Sequence, residues 1–234
     1  MTEISNDSGW RGSQEVWLQA AYEALLETGV ESVKILPLGK KLNLSRTSFY
    51  WFFKDREELL SALLTRWREK NTGNLVKQCE AYAESIVEAM FNVFDCWISP
   101  ELFDPRFEFA VRSWALQSED ISTEIENADR ARLSALQRMF MRFGHTELDA
   151  DVRARTTYLV QIGYVSMRTK ENISLRMKRI PHYVEVYTGI APQQRHGRFN
   201  GDRIGLDKQI FDQRKQLQMN LARRRVIIFS GSIN

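Results

Sequence analysis

The sequence predicts an all-α protein made of a three-helix N-terminal head followed by a helical bundle. Three observations carry that prediction. Apolar residues recur at steps of three and four in segment after segment. The segments are opened by Ser or Asp and closed by Gly, Asn or Pro. No alternating, strand-like stretch of useful length and no internal repeat interrupts them.

The first element follows an opening from Met1 to Gly12 that is expected to be mobile. Ser13 to Thr28 reads as a helix, with Val16, Ala20, Ala24 and Trp17, Ala21, Leu25 on one side, and Gly29 stops it. Leu36 and Pro37 suit the entry of a short second helix, since the missing N–H of proline costs nothing in a first turn. Leu38 and Leu42 share one face of it, Lys40 and Lys41 face solvent, and Asn43 can take the left-handed conformation that ends it. The chain then turns at Asn43-Leu44-Ser45. Ser45 can cap a third helix whose exposed positions Arg46, Thr47, Ser48 and Trp51 alternate with inward-facing Phe49 and Phe53. This is the helix-turn-helix pattern. Its predicted core is Ala20, Ala24, Leu25, Val33, Leu38, Leu42, Phe49 and Phe53.

Asp55 as N-cap and Glu58 at the third helical position form a capping box that opens a fourth helix from Arg56 to about Asn71. Its inward side holds Leu59, Leu60, Leu63, Leu64 and Trp67, and Asn71-Thr72-Gly73 is expected to break it. The bundle then reads as helices near 75–97, 105–117, 120–143, 149–169 and 174–187, separated at Ser99-Pro100, Asp104-Pro105, Ser118, Gly144 and Gly189. The resulting divisions are 1–12, a head at 13–55, a helical domain at 56–189 and a basic tail at 190–234. The tail carries a possible amphipathic helix with Leu206, Ile210, Leu217 and Leu221 on one side, and Arg223-Arg224-Arg225 near its end.

Composition excludes several classes. A hydrophobic content of 43 % with mixed charge marks a globular chain, not a disordered one. No leader-like start and no apolar run of spanning length occurs, so no membrane association and a cytoplasmic location are expected. Cys79 and Cys96, placed on one continuous helix, would lie about 25 Å apart and stay free thiols. His145, His182 and His196 have neither i,i+4 spacing nor cysteine partners, so no metal is expected. No cofactor motif is present. The net charge of +3 is misleading: the stretch from Ala191 holds nine Lys/Arg against three Asp, leaving the first 190 residues at −3. Placement matters more. Between Ser32 and Lys54 there are five basic residues (Lys34, Lys40, Lys41, Arg46 and Lys54) and no acidic one, a surface able to neutralise phosphates.

On these residues the chain resembles the N-terminal domain of TetR-family (tetracycline-repressor-like) transcriptional regulators. The turn Asn43-Leu44-Ser45, the pair Tyr50 and Phe53, and the run Lys54-Asp55-Arg56-Glu57-Glu58-Leu59-Leu60 match that family in order and spacing. Asn43 replaces its usual turn glycine, Gly39 stands where a helix alanine is usual, and Pro37 is uncommon there. Arg46, Thr47, Ser48 and Trp51 are then the base-edge and groove candidates, with Ser45 as the cap that orients them. Ser32, Lys34, Tyr50 and Lys54 are assigned to phosphates. For Tyr50 and Trp51 the competing reading is core packing.

The resemblance covers about residues 13–189 and implies a homodimeric, non-enzymatic regulator of double-stranded DNA, a repressor of a palindromic operator released by a small-molecule effector. Phe94, Trp97, Phe103, Phe107, Arg112, Trp114, Tyr158 and Gln161 are the candidates for an effector pocket, with interior packing as the plain alternative. Dimerisation is expected through the helices near 149–169 and 174–187, using Gly163, Ser166, Tyr183, Val184, Val186 and Tyr187. The competing function is an all-helical ligand-binding or enzymatic dimer without specific DNA binding. Against an enzyme, no adjacent nucleophile and base and no phosphate loop occur, and Asp and Glu are expected at helix starts and solvent faces.

Overall fold

In the computed structural model, which describes residues 12–192, every regular element is helical. The chain divides into a unit Met1–Ala191 and a unit Pro192–Asn234. The proposed tail helix and Arg223-Arg224-Arg225 lie outside the described residues, as does all but the last residue of the opening 1–12.

Helix α1 (Gln14–Thr28) is opened by Ser13, whose hydroxyl accepts the Val16 N–H at 3.3 Å, and stopped by Gly29 at φ 89°. A 3-10 turn (Val30–Ser32) leads to α2 (Ile35–Leu42). Asn43 ends α2 at φ 54°, ψ 42°, and the Leu44 N–H returns to the Gly39 carbonyl at 2.9 Å. The left-handed turn therefore forms without its glycine. Ser45 caps α3 (Arg46–Phe49) through the Ser48 N–H at 3.2 Å.

The head closes around Trp17, fully buried and edge-on to Phe49 at 5.2 Å, with Leu25, Val33, Leu38 and Phe53 also buried. Ala24 and Leu42 are only partly buried against this core. Trp17 also explains Gly39: a Cβ there would stand 3.0 Å from the Leu44 carbonyl oxygen and 3.3 Å from the Trp17 ring. The indole occupies the space an alanine would need.

The expected break at Asn71-Thr72-Gly73 does not occur. Helix α4 (Arg56–Trp67) continues through a π-helical segment (Arg68–Gly73) into α5 (Asn74–Glu80), with helical dihedrals at Gly73 and Asn74. The extra residue per turn rotates Asn71 inward, where it is fully buried. The break comes later, between α5 and α6 (Ile86–Ile98), so the single helix expected over 75–97 is two. Because α5 and α6 pack together, Cys79 and Cys96 are not at the ends of one rod; both are buried free thiols, and burial foremost pushes that of Cys96 up to about 12.

The remaining helices are α7 (Pro105–Ala115), α8 (Glu119–Arg142), α9 (Glu147–Ser166) and α10 (Ile173–Thr188). Helix α8 runs against α9, α7 and α5, while α10 covers α6 and α9. The head meets this bundle at α7, which touches both α1 and α4. Tyr22 packs edge-on to Phe107 at 5.0 Å and donates its hydroxyl to Asp104, the residue that caps α7. The same carboxylate thus fixes the start of a bundle helix and holds the middle of α1.

Candidate nucleic-acid interface and the cleft behind it

Phe49 and Phe53 are buried, so α3 and the turn after it present Arg46, Thr47, Tyr50 and Trp51 outward, with Tyr50 46 % and Trp51 65 % exposed. Arg46 lies over the Tyr50 ring at 5.6 Å and donates to its hydroxyl through Nε at 3.2 Å and Nη2 at 2.9 Å. That stack holds a guanidinium extended on the open face, with most of its donors still available. Ser48 departs from the expectation of exposure. It is buried, and its hydroxyl donates to the Ser45 carbonyl at 2.8 Å, because at the third position of so short a helix it points back under the cap.

The flanking cations are less uniform than the sequence suggests. Lys34, Lys40 and Lys54 are exposed, but Lys41 is paired with Glu23 of α1 at 2.9 Å. Ser32 is half-buried and its hydroxyl lies 2.9 Å from the Ala24 carbonyl and 2.7 Å from that of Gly29, so its proton serves the turn. Asp55 accepts the Glu58 N–H at 2.9 Å, and Glu58 reaches back to the Lys54 N–H at 2.5 Å, completing the box one residue upstream of its usual partner. Sequence reading missed Arg56. It donates to the carbonyls of Val33 at 2.6 Å and Val30 at 3.0 Å, tying the turn before α2 to the start of α4.

The aromatic candidates do not form one pocket. Phe94, Trp97, Phe103 and Phe107 are buried. Phe94 is edge-on to Trp97 at 5.7 Å and stacked on Tyr183 and Tyr187, which joins α6 to α10. Tyr183, Val184 and Tyr187, expected on a subunit interface, therefore pack within the chain, with Val184 and Tyr187 buried.

Arg112 and Tyr158 belong instead to a buried charge network. Arg132 and Glu108 are both fully buried and meet through two hydrogen bonds of 2.7 and 3.0 Å. Glu108 also accepts from Trp67 Nε1 at 2.8 Å, Asn71 Nδ2 at 3.0 Å and Arg112 Nε at 2.9 Å. Tyr158 receives Arg132 at 2.9 Å and gives its proton to Asp129 at 2.5 Å, and Asp129 is in turn held by Arg112. Burial alone would raise the Glu108 pKa, but the charge and hydrogen bonds of Arg132, then Arg112 and Asn71, bring it down to about 2. Glu108 lies in the first turn of α7, as expected of an acid at a helix start, but it is fully buried and not on a solvent face. A signal for it was present: Phe107, Glu108 and Val111 fall on one helical face.

An open cleft of about 650 Å³ lies between the end of α1 with its following turn, α7, α9 and the corner leading to α10. Trp114 and Gln161 line it; the other six effector candidates do not. Phe109, Tyr164, Arg168 and Arg176 are wall residues that sequence reading did not single out.

Among the described residues no cluster of three metal-binding side chains occurs, and no helix is long and apolar enough to cross a membrane. Residues 18–63 match the family described as bacterial regulatory proteins, tetR family. No curated protein sequence matches the chain. Its fold is similar to that of Salmonella enterica GusR, with a TM-score of 0.57 and 14 % identity over 76 % of this chain and 94 % of that one. The fatty acid degradation regulator FadR of Bacillus halodurans gives 0.55 and 14 % over 75 % and 94 %. A transcriptional regulator of Rhodococcus sp. Rha1 gives 0.54 and 15 % over 77 % and 96 %. Identities this low establish likeness of fold alone.

Proposed function

We propose that this chain, whose residues 18–63 match the tetR family of bacterial regulatory proteins, is a DNA-binding transcriptional regulator of that family and works as a homodimeric repressor of a palindromic operator, released by a small-molecule effector. The observation that carries this reading is the outward face of α3. Two buried phenylalanines anchor a capped helix that presents Arg46, Thr47, Tyr50 and Trp51 with no acid from Ser32 to Lys54. Arg46 and Thr47 are the base-edge readers, Trp51 a groove contact, and Lys34, Tyr50 and Lys54 hold phosphates. Ser45 and Ser48 serve as the cap that orients them.

Dimerisation through α9 and α10 is supported by their unpartnered apolar side chains. Leu148, Val152 and Leu159 on α9, with Leu175 and Val186 on α10, are between 45 and 75 % exposed. Gly163 adds an open position where a Cβ would meet nothing within 4 Å, so a second helix can approach closely there. A twofold pairing places two heads on half-sites about 34–36 Å apart. The cleft between head and bundle is the effector site in this reading, since a ligand there touches both bodies whose mutual setting determines that spacing. The regulatory step needs only that the ligand binds one setting better than the other.

The test is a gel shift with the DNA upstream of the gene, titrated with unrelated competitor, together with sedimentation of the free protein. Competitor-resistant retardation by a dimer is expected. A monomer, or retardation abolished equally by unrelated DNA at low salt, refutes the reading.

A further inference from the structure

We propose that the cleft takes a singly charged organic anion, a carboxylate on an apolar or aromatic body, with Arg176 as its counter-charge; this rests on the reading of the cleft as the effector site. At about 650 Å³ the cleft has the size of a small-molecule site. Arg176 stands in its wall half-buried, 5.1 Å from the Tyr164 ring, and its Nη2 donates to the neutral Gln161 Oε1 at 2.9 Å.

Among the described residues Arg176 makes no ion pair. Glu171, an acid whose charge reaches it, is engaged by Arg179. Burial lowers the Arg176 pKa by more than the charges of Tyr164, Glu171 and Tyr183 raise it, as expected of a cation withdrawn from water. Gln161 and Tyr164 thus orient a guanidinium fork whose remaining donors suit a two-oxygen acceptor.

The other walls fix the rest of the ligand. Phe109 and Trp114 supply apolar surface, and the Arg168 guanidinium lies over the Phe109 ring at 5.2 Å. Arg168 does so from φ 49°, a left-handed setting uncommon for a residue with a side chain. Arg106, Arg168, Lys170 and Arg176 line the cleft, and the acids in its wall are Glu27 and Glu31, so the lining is net cationic. The two acids come from the head side and repel a second negative charge, which favours a monocarboxylate over a phosphate ester. A ligand seated on Arg176 therefore lies against Gly29, Val30 and Glu31, the segment that leads into the DNA-reading helices.

Titration of the full-length protein with 2-naphthoate and with uncharged 2-naphthamide, by calorimetry and by quenching of tryptophan fluorescence, tests the assignment. The acid is expected to saturate the protein and to bind at least about tenfold more tightly than the amide. Arg176→Gln should remove that preference, and Arg176→Lys should retain part of it. No saturable binding of naphthoate to about 10 mM, equal affinity for acid and amide, or an unchanged preference in a folded Arg176→Gln protein overturns the proposal. The acid–amide comparison on the unmodified protein stands even where the variant fails to fold. Gel shift of the same preparation without ligand reads DNA binding separately, so loss of the regulator reading and loss of the ligand assignment give different results.

Discussion

Replacing Arg132 by Met is the perturbation that most directly probes what joins the helix running from α4 into α5 to the bundle. The guanidinium makes the paired bonds to Glu108, one to Tyr158 and one to Thr72 Oγ1 at 2.9 Å, and lies 5.2 Å from the Trp67 ring. It thus reaches α4 and the π-helical segment that follows as well as α7 and α9. Breaking a fully buried pair by removing one partner costs about 3–5 kcal/mol, because the other charge stays in the interior. Glu108 keeps Trp67, Asn71 and Arg112 as donors, which places the loss near the lower figure, about 3 kcal/mol. For a chain of this length that is a fall in Tm of about 6–12 °C. Urea unfolding followed by circular dichroism measures it. Glu108→Gln alone should also destabilise, since it strands Arg132, and the double variant should lose less than the sum of the two, with a coupling of about 2 kcal/mol. The pH dependence has a definite sign. With Glu108 held at about 2 in the folded state and near its ordinary value when unfolded, its contribution is complete above about pH 5 and is lost as pH falls toward 2. That contribution amounts to about 3 kcal/mol, and Glu108→Gln should flatten this part of the acid limb. Single variants within about 1 kcal/mol of the parent, or strict additivity, would refute this account of the network.

Gly39→Ala should destabilise the head by about 1 kcal/mol despite its better helix propensity, because the new methyl meets the Leu44 carbonyl and the Trp17 ring; a melting scan showing stabilisation contradicts that. Asn43→Val should lower stability by about 1–2 kcal/mol, as a β-branched residue is forced to φ 54°, whereas Asn43→Gly should be neutral or better. Lys54→Ala should weaken binding to specific and unrelated DNA alike and reduce the slope of log affinity against log salt by about 0.9, while Arg46→Ala should also erase preference between sequences. Leu159→Glu on the exposed face of α9 should shift sedimentation from dimer to monomer at micromolar protein while leaving the far-ultraviolet spectrum unchanged.

The head was legible because its determinants are local. Ser13, Ser45 and Asp55 cap, Gly29 and Asn43 stop, and Phe49 on α3 and Phe53 just beyond its end are both buried, so residue type and spacing suffice. The later bundle helices agree with expectation to within three residues at each end for the same reason. The joint was not legible. Asn71-Thr72-Gly73 has the composition of a helix stop, yet tertiary partners at Asp104 and Glu108 hold Asn71 inside a π-turn. Ala81–Ser85 carries no Gly or Pro to mark the real break. Burial of Arg132 is stabilised by a carboxylate 24 positions away, and the local sign of it is its place on the apolar face of α8, in step with Ile125, Ala128, Leu136 and Met139, although the adjacent Asp129-Arg130-Ala131 reads as a solvent-facing stretch. The effector candidates were likewise not brought to one cavity. Aromatic content identifies residues that want burial, and most were buried against each other, while the cleft opened where α1 and its following turn face α7 and α9.

In the proposed mode of action α3, presented twice by a dimer, reads a defined DNA sequence. Selection of bound duplexes from a random library by the full-length protein, followed by sequencing, tests it most directly. The account predicts enrichment of an inverted repeat whose half-site centres are about one helical turn apart, lost when Arg46 is replaced by Ala. Recovery of no sequence above the starting library, or of a motif unchanged by Arg46→Ala, would contradict it.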